Sequence, residues 1–547
     1  MQHRAIKLHA DDDLLVALVD LLAGETVNVG EHTISLLNDV PAKHKVAVRA
    51  LPSGAAIRMY GVVVGKAACD IAEGALITTD NICPAREDCH VRENKFEWKP
   101  PELGDFGGRT FDGYLRSDGR VGTANHWIVV PLTFCENRNI LTLRDAFLEE
   151  LGYRTSENPY RAHVRSLVQS HFSDKSPRTP LTTIGAVNEE KQAFPNVDGI
   201  QFIAHSGGCG ATRQDAKEFC GLLAGYIDHP NVAGATVLGL GCQNSQVSML
   251  EEELHRRNPG FDKPLYIFEQ QTEGTNDTLL GKAIEHTFSG LIDADKCRRE
   301  PVPFSELVVG VECGASDGFS GISANPVIGI CADLIVAAGG TVILSEFPEL
   351  SGVEQALCDR CVDTDLARRF LELMREFESR LEAVGSSFDA NPSPGNIRDG
   401  LLTDAMKSAG AALKGGSSPI MDVLDYPEPV RKRGLNLLNT PGGDVESTTA
   451  MVGSGANLIL FSTGAGTPTG NPIVPVIKVS SNSDLSQRMS DLIDFDAGTT
   501  LTGADTHDSS GRKLLELCIE TASRKYSTKA VLLGQDDFIP WKRGYSL

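Results

Sequence analysis

Four of the thirteen cysteines in this 547-residue chain fall just after apolar runs of strand length, mostly in glycine-rich loops. Cys135 follows Trp127–Leu132. Cys209 sits in His205-Ser206-Gly207-Gly208-Cys209-Gly210, after Ile200–Ala204. Cys242 closes Gly239-Leu240-Gly241-Cys242, and Cys313 opens the stretch after Leu307–Val311 that continues Gly314-Ala315-Ser316-Asp317. Thiolate and imidazole suit iron or zinc, and a site with open coordination positions suits catalysis. Some of these thiols and His205 are therefore candidate ligands of a borderline metal. The competing reading is that each cysteine is a small buried hydrophobe at a strand end. The spacing matches neither a zinc finger nor a compact ferredoxin run. Cys358-x-x-Cys361 has redox spacing but lies in a charged, helix-like stretch, so that spacing reads as coincidental.

Gly207-Gly208-x-Gly210 and Gly464-x-Gly466 are neither GxGxxG nor a Walker sequence, so no nucleotide is implied. Glycines there let backbone N–H groups approach an anionic small molecule. Thr467 and Lys478 add a hydroxyl and a cation nearby, although a lone lysine is more often a surface residue. His44-Lys45, followed by Tyr60-Gly61, pairs groups that serve as acid, base or anion clamp. A solvated strand edge is the plain alternative for that pair. There is no GxSxG elbow to support a serine hydrolase.

The elements that must position these residues fall into segments. Residues 1–83 alternate short β-like runs (Ile6–His9, Thr26–Val29, His44–Ala50, Ala56–Tyr60) with turn signals, and Asp12 is placed to cap a helix from Leu14 to Leu21. Residues 84–112, with Pro84, Pro100, Pro101 and the charged run Arg92–Lys95, read as a linker. From Gly113 onward, continuous apolar runs recur between helix-length stretches: the strands already named, then Thr341–Leu344, Leu435–Leu438 and Leu458–Phe461. Asp365–Ala383 and Asp484–Ile493 are amphipathic helix candidates. That alternation predicts an α/β fold with a parallel sheet covered on both faces. The expected division is a β-rich domain over 1–83, a linker over 84–112, a middle α/β domain over 113–300 and a C-terminal α/β domain over 301–547. In such sheets ligands bind outside the carboxyl ends of the strands, where the cysteines and glycine loops fall.

Composition narrows the function classes. The formal charge is −22, from 51 basic and 73 acidic residues, which disfavours nucleic acid and anionic membrane surfaces. No run of 18 or more apolar residues exists, and the Leu14–Leu22 run is interrupted by Asp20 and preceded by three aspartates, unlike a secretory signal. An odd, scattered cysteine count reads as reduced thiols in a cytoplasmic protein.

The same residues carry a resemblance. Asp112–Asn125, His205–Gly210, Gly239–Asn244, Glu312–Pro326, Asn391–Asn396 and Gly466–Pro472 resemble, in order, motifs of the altronate/galactarate dehydratase family, and residues 1–83 are similar to that family's small β-clip (SAF) domain. The resemblance implies a hydro-lyase that removes water from a sugar acid, most simply D-altronate to 2-dehydro-3-deoxy-D-gluconate. It implies a Rossmann-like α/β fold for the C-terminal domain over 301–547, a divalent metal, iron(II) with manganese(II) as the alternative, and a homodimer. Carried onto this chain, it makes His205, Cys209, Cys242 and Cys313 the metal candidates, with Cys135 outside that set. His44, Lys45 and Tyr60 become acid/base candidates. Asn125, Ser316, Asp317, Asn325, Asn396, Thr467 and Lys478 become candidate contacts to a small-molecule sugar acid. Dehydration beside a carboxylate needs a base for the α-proton, an acid for the departing hydroxide and positive charge for the enediolate, which a metal can supply.

The chain departs from the family pattern at three cations. Ala124 and Ala465 stand where arginine is common, and Ile397 where lysine is usual. Losing bidentate carboxylate clamps favours a mono-acid over the di-acid galactarate. Ser345–Gln355 looks like the altronate branch, whereas the Gly-Cys-Gly of the His205 loop is closer to the galactarate branch. The alternatives are galactarate, another aldonate or a sulfolactate-type substrate. A dehydratase built on an iron–sulfur cluster and a non-catalytic sugar-acid-binding paralogue are rivals of other classes.

Overall fold

The computed structural model describes residues 4–30, 32–93, 96–153, 159–173 and 192–546. Asn94 and Lys95, in the charged part of the expected linker, lie outside the described residues. The chain divides into two units: one of residues 113–300, 470–473 and 530–547, the other of residues 1–112, 301–469 and 474–529.

The first of these is built on a four-stranded parallel sheet. Its strands are β1 (His126–Pro131), β2 (Gly199–Phe202), β3 (Val232–Gly239) and β4 (Leu265–Glu269), in the order β2-β1-β3-β4. All eight residues of β3 are buried, as an unalternating apolar run requires when helices cover both faces. Helix α1 (Arg213–Asp228) starts at the Thr212 cap, whose hydroxyl accepts the Asp215 N–H. Trp127 fills the core and donates from Nε1 to Thr236 Oγ1 at 3.1 Å. Glycines make room for it: a Cβ at Gly290 would lie 2.0 Å from the indole and one at Gly234 2.4 Å from it.

The other unit holds a seven-stranded, all-parallel sheet. Its strands are β5 (Val308–Gly314), β6 (Thr341–Leu344), β7 (Ile420–Leu424), β8 (Gly434–Leu438), β9 (Leu458–Thr463), β10 (Val476–Ser480) and β11 (Phe495–Asp496), in the order β7-β8-β6-β5-β9-β10-β11. Helices α2 (Ala324–Ala337), α3 (Thr364–Ala383), α4 (Asp444–Gly453) and α5 (His507–Ala522) accompany it. The expected helix over 365–383 is thus present. That over 484–493 is a shorter helix, Ser483–Arg488, because the chain leaves helical geometry at Met489.

The N-terminal module of this unit consists of short antiparallel strands, including a hairpin of Thr26–Val29 with His32–Ser35. The expected helix from Leu14 to Leu21 is a strand instead, Leu14–Ala17, paired on both sides by Ala5–Ile6 and Lys45–Ala47. All four of its residues are buried, so a helix with one solvated face was never available to them. Asp12 does not cap a helix: it accepts the N–H groups of His9 and Gly61, both at 2.9 Å. The 84–112 segment is not wholly irregular, since it contains a short 3-10 turn at Gly104–Phe106 and the start of a strand at Thr110.

Candidate active site

At the carboxyl ends of β5 and β6 lies a cavity of 480 Å³, with Cys313, Glu349, Asn391, Asn396, Lys407 and Asp444 in its walls. Cys313 is the penultimate residue of β5. Glu346 follows β6 in a left-handed conformation, φ +63°, that turns its side chain back toward β5, and Glu349 sits one 3-10 turn later. Asp444 opens α4.

Ligand atoms of Cys313, Glu346 and Glu349 all lie within 4.8 Å of one another, and all three residues are buried. Two lysines hold the outer carboxylate oxygens. Lys414 Nζ lies 2.6 Å from Glu346 Oε2, and Lys407 Nζ lies 2.6 Å from Glu349 Oε1. The inner oxygens then face the thiol, with Glu349 Oε2 at 2.9 Å and Glu346 Oε1 at 4.0 Å from Cys313 Sγ. Asn391 links the wall by accepting from Lys407 Nζ at 2.9 Å and donating to Glu349 Oε1 at 3.3 Å. One thiol and two carboxylates, braced from behind by charged donors, form a donor set that suits a borderline divalent cation such as iron(II).

The electrostatics follow from burial. Burial and the Glu346 and Glu349 charges push the Cys313 thiol well above its ordinary range. Burial, then the Lys407 and Lys414 ammoniums, act in opposite senses on Glu349, and the cations win, holding it below the usual value. Burial would lower Lys414, but Cys313 and the surrounding carboxylates keep it well above. Burial and the charge of Glu346 raise Glu312, whose Oε2 accepts from Ser447 at 2.6 Å while its Oε1 has no partner. Asp444 is pushed up to about 7 by burial and by the Glu346 and Glu349 charges. It stands close against Gly314, where a Cβ would come 2.1 Å from its Oδ2.

The N-terminal module contributes a second group of residues within the same unit. Lys43, at φ +75°, reaches Asp317 Oδ2 at 3.0 Å and Asp399 Oδ1 at 3.5 Å. Lys45 is fully buried and donates to the carbonyls of Lys43 at 2.9 Å and Gly400 at 2.5 Å. Burial lowers its pKa to about 7, against the pull of Asp317. His44, half-buried between them, has Nδ1 3.2 Å from the Ala42 carbonyl. That contact places the proton on Nδ1 and the lone pair on Nε2. Tyr60, at φ +57°, packs its hydroxyl where a Cβ on Gly321 would be, 2.3 Å away, and burial raises its pKa.

Because the folded pKa of Lys45 is depressed, the folded state binds fewer protons than the unfolded chain between about pH 7 and the ordinary lysine range. Stability should therefore rise with pH across that window. The expected result is that wild type gains on Lys45→Met from neutral to alkaline pH in paired denaturant titrations. Parallel curves would refute the depressed Lys45 pKa.

The remaining residues expected from sequence are placed as follows. Asp317 is fully buried, accepts the N–H groups of Phe319 and Ser320 and the Ser481 hydroxyl on Oδ1, and anchors the loop that carries Ser316. Asn396, in the cavity wall, donates to the Ser316 carbonyl at 2.7 Å and accepts the Ser393 N–H at 3.0 Å. Asn325 bridges the Gly410 carbonyl and the Ser462 hydroxyl inside the core. Lys478 is buried and donates to the Thr469 carbonyl, and Thr467 is half-buried in the loop after β9. Ile397 follows Asn396. The Ala465 N–H donates to the carbonyl of Ala315, which lines the cavity.

His205, Cys209, Cys242, Asn125 and Ala124 belong to the unit of the four-stranded sheet. Asn125 is fully buried and joins the Asn196 and Ala294 carbonyls to Arg116. His205 is buried, and both ring nitrogens meet backbone: Nε2 lies 2.6 Å from the Pro131 carbonyl and Nδ1 accepts the Gly207 N–H at 3.1 Å. Burial lowers its pKa to about 4. Cys135 and Cys242 are exposed and Cys209 is half-buried. Among the described residues, the close group of ligand types contains Cys313 but none of these.

Glu346, Glu349, Lys407, Lys414 and Asp444 are absent from the residues expected by sequence reasoning. The available signal was their place after strands: Ser345-Glu346 follows β6, and Thr440-Pro441-Gly442-Gly443-Asp444 follows β8.

A cavity at the carboxyl ends of a parallel sheet, with a thiol, two carboxylates (Glu349 and Asp444) and Lys407 in its wall, defines an α/β enzyme that handles a small molecule. The chain belongs to the D-galactarate/altronate dehydratase family, a family of hydro-lyases. Residues 304–546 match the family's C-terminal domain, 113–295 its second domain and 3–84 its SAF domain. The chain is 33% identical over 535 residues to altronate dehydratase of Escherichia coli (strain K12), with 97% of each chain covered. It is 32% identical to altronate dehydratase of Bacillus subtilis (strain 168), with 95% of each covered. It is 31% identical to galactarate dehydratase (L-threo-forming) of Escherichia coli (strain K12), covering 96% of this chain and 93% of that one. Among the described residues no helix is long and apolar enough to cross a membrane.

Proposed function

We propose that this chain dehydrates D-altronate to 2-dehydro-3-deoxy-D-gluconate in the 480 Å³ cavity, with Cys313, Glu346 and Glu349 holding a divalent cation, iron(II). The observation that carries this reading is the buried thiol–dicarboxylate trio, two of whose members, Cys313 and Glu349, line the cavity. When bound there, the cation supplies positive charge to stabilise the enediolate. Lys407 and Asn391 meet the substrate carboxylate and its neighbouring hydroxyl from the wall. His44, its lone pair on Nε2, takes the proton from C2. Asp444, protonated near neutrality, delivers a proton to the C3 hydroxyl, which departs as water. The resulting enol tautomerises to the 2-keto acid. Lys43 and Lys45 tie the segment that carries His44 to Asp317 and Gly400.

Ala465, whose N–H meets the Ala315 carbonyl, and Ile397 beside Asn396 bring no cation to the cavity wall, where Lys407 is the cation among the described lining residues, which supports the mono-acid over galactarate.

The test is an anaerobic assay of the purified protein with iron(II), given altronate and galactarate in parallel and read by 2-keto acid formation. Turnover of altronate, its loss on chelation and its return with iron(II) are the expected results. Turnover of galactarate alone, or full activity after chelation, would sink the substrate or the metal assignment respectively.

A further inference from the structure

The glycine-rich loop Ser206–Ala211 plays no part in that chemistry, yet it is built with care. His205 ties it down: the Gly207 N–H donates to Nδ1, the opposite nitrogen is fixed on the Pro131 carbonyl, and the ring packs edge-on to Phe219 at 4.8 Å. Gly208 lies at φ +90°, and a Cβ there would come 1.9 Å from the Leu132 carbonyl oxygen. No side chain is tolerated, so the backbone itself faces the space beyond.

That space is a cavity of 80 Å³ lined by Gly208, Cys209, Gly210, Ala211, Ser245 and Trp541. Among the described residues, the backbone N–H groups of Gly208, Cys209, Gly210 and Ala211 have no protein acceptor. Ser245 is fully buried, and its hydroxyl has no hydrogen-bond partner. Its nearest polar neighbour is the Cys220 thiol, a weak acceptor. Thr133, directly behind Gly208, also buries an unpartnered hydroxyl. A buried donor left unpaired is costly, and Ser245 in the cavity wall is one, while the half-buried amides of Cys209, Gly210 and Ala211 are free to meet the same acceptor. The N-terminal end of α1, just past the Thr212 cap, adds a partial positive charge.

The charged groups at the cavity agree with an anion. Asp215 in the wall is satisfied by its own donors: Oδ1 accepts the N–H groups of Arg543 and Gly544, and Oδ2 accepts the Thr212 hydroxyl. Lys542 in the wall is a cation whose Nζ meets the Ser546 hydroxyl at 2.5 Å. Arg543 lies over Trp541 with its guanidinium 4.3 Å from the ring and reaches Glu218.

We propose that the Ser206–Ala211 loop, with Ser245, forms a binding site for a small oxyanion: inorganic phosphate, or the carboxylate head of an organic acid. Consecutive backbone N–H groups in a concave loop are the standard nest for such a group. The site does not depend on the assignment of the 480 Å³ cavity.

The test uses the full-length protein, titrated separately with inorganic phosphate and with acetate. Binding is followed by calorimetry and by tryptophan fluorescence, which Trp541 in the wall should report. Saturable binding of at least one anion is expected, weakened about 10- to 100-fold in Ser245→Ala, since one hydrogen bond to a charged group is lost. Ser245→Ala should fold as well as wild type, because it removes an unpaired buried hydroxyl. Trp541→Phe should lose the fluorescence response and keep the calorimetric one. Phosphate binding alone would identify a tetrahedral ligand, and acetate binding alone a carboxylate; both support the site. Saturation by neither anion, or equal affinity in wild type and Ser245→Ala, overturns it.

Discussion

Lys414→Met is expected to cost about 3–5 kcal/mol of folding stability at neutral pH, the usual penalty for removing one partner of a buried ion pair. Lys414 and Glu346 are each 1% exposed at the side chain, and their charged atoms are 2.6 Å apart. Glu312 and Glu349 stand close enough for their charges to act on the same ammonium. Without it, Glu346 keeps only the weaker pull of Lys407 and Glu312 loses its counter-charge, so both buried acids are driven to hold a proton. The unfolded chain releases those protons above the ordinary carboxylate range, so the variant loses stability as pH rises. The gap to wild type should be widest at about pH 8 and narrow at about pH 5, where carboxylates begin to protonate in both states. Urea denaturation at the two pH values measures it. Adding Glu346→Gln to Lys414→Met should return most of the loss, since the pair is then replaced rather than broken. A Lys414→Met variant as stable as wild type at both pH values would mean that the ammonium is not the counter-charge of this cluster.

Cys313→Ser is the second large effect, and it falls on activity. The thiol lies near the end of β5, where the strand is still paired with β9 and the Cys313 N–H donates to Glu346 Oε2 at 3.1 Å, so the backbone beneath it is held from both sides. Serine keeps the shape and the donor to Glu349. It removes the soft ligand, and a hydroxyl does not replace a thiolate toward a borderline cation. Turnover of altronate should drop by at least about 100-fold, as loss of a metal-site group does, and bound metal should fall in parallel. Metal analysis and kinetics on the same preparation decide it. If metal content holds while turnover falls, Cys313 acts on substrate rather than on the cation; if both hold, the trio is not the metal site.

How much of this was legible without coordinates differs by element. The parallel sheets were legible because β3, β5, β6, β8 and β9 are mostly apolar without alternation, a pattern that burial on both faces explains. Helix α3 was legible because its apolar positions repeat at the helical period. Leu14–Ala17 was misread for want of a period: four buried residues in a row fit a short helix or a strand, and its pairing with Ala5–Ile6 and Lys45–Ala47 decided the matter. Cys313 stood out by type and place, whereas Glu346 and Glu349 did not, because glutamates are common and ordinarily solvated.

By itself the sequence determined the fold class, the family and the strand ends at which chemistry would collect, since apolar periodicity and motif order are local properties of the chain. Only the tertiary structure decided which groups meet. Glu346 reaches Cys313 because a left-handed residue follows β6, and Lys407 and Lys414 arrive from about 60 to 70 residues further along the chain. Burial then sets their charges, and neither burial nor proximity between distant residues is written in local spacing.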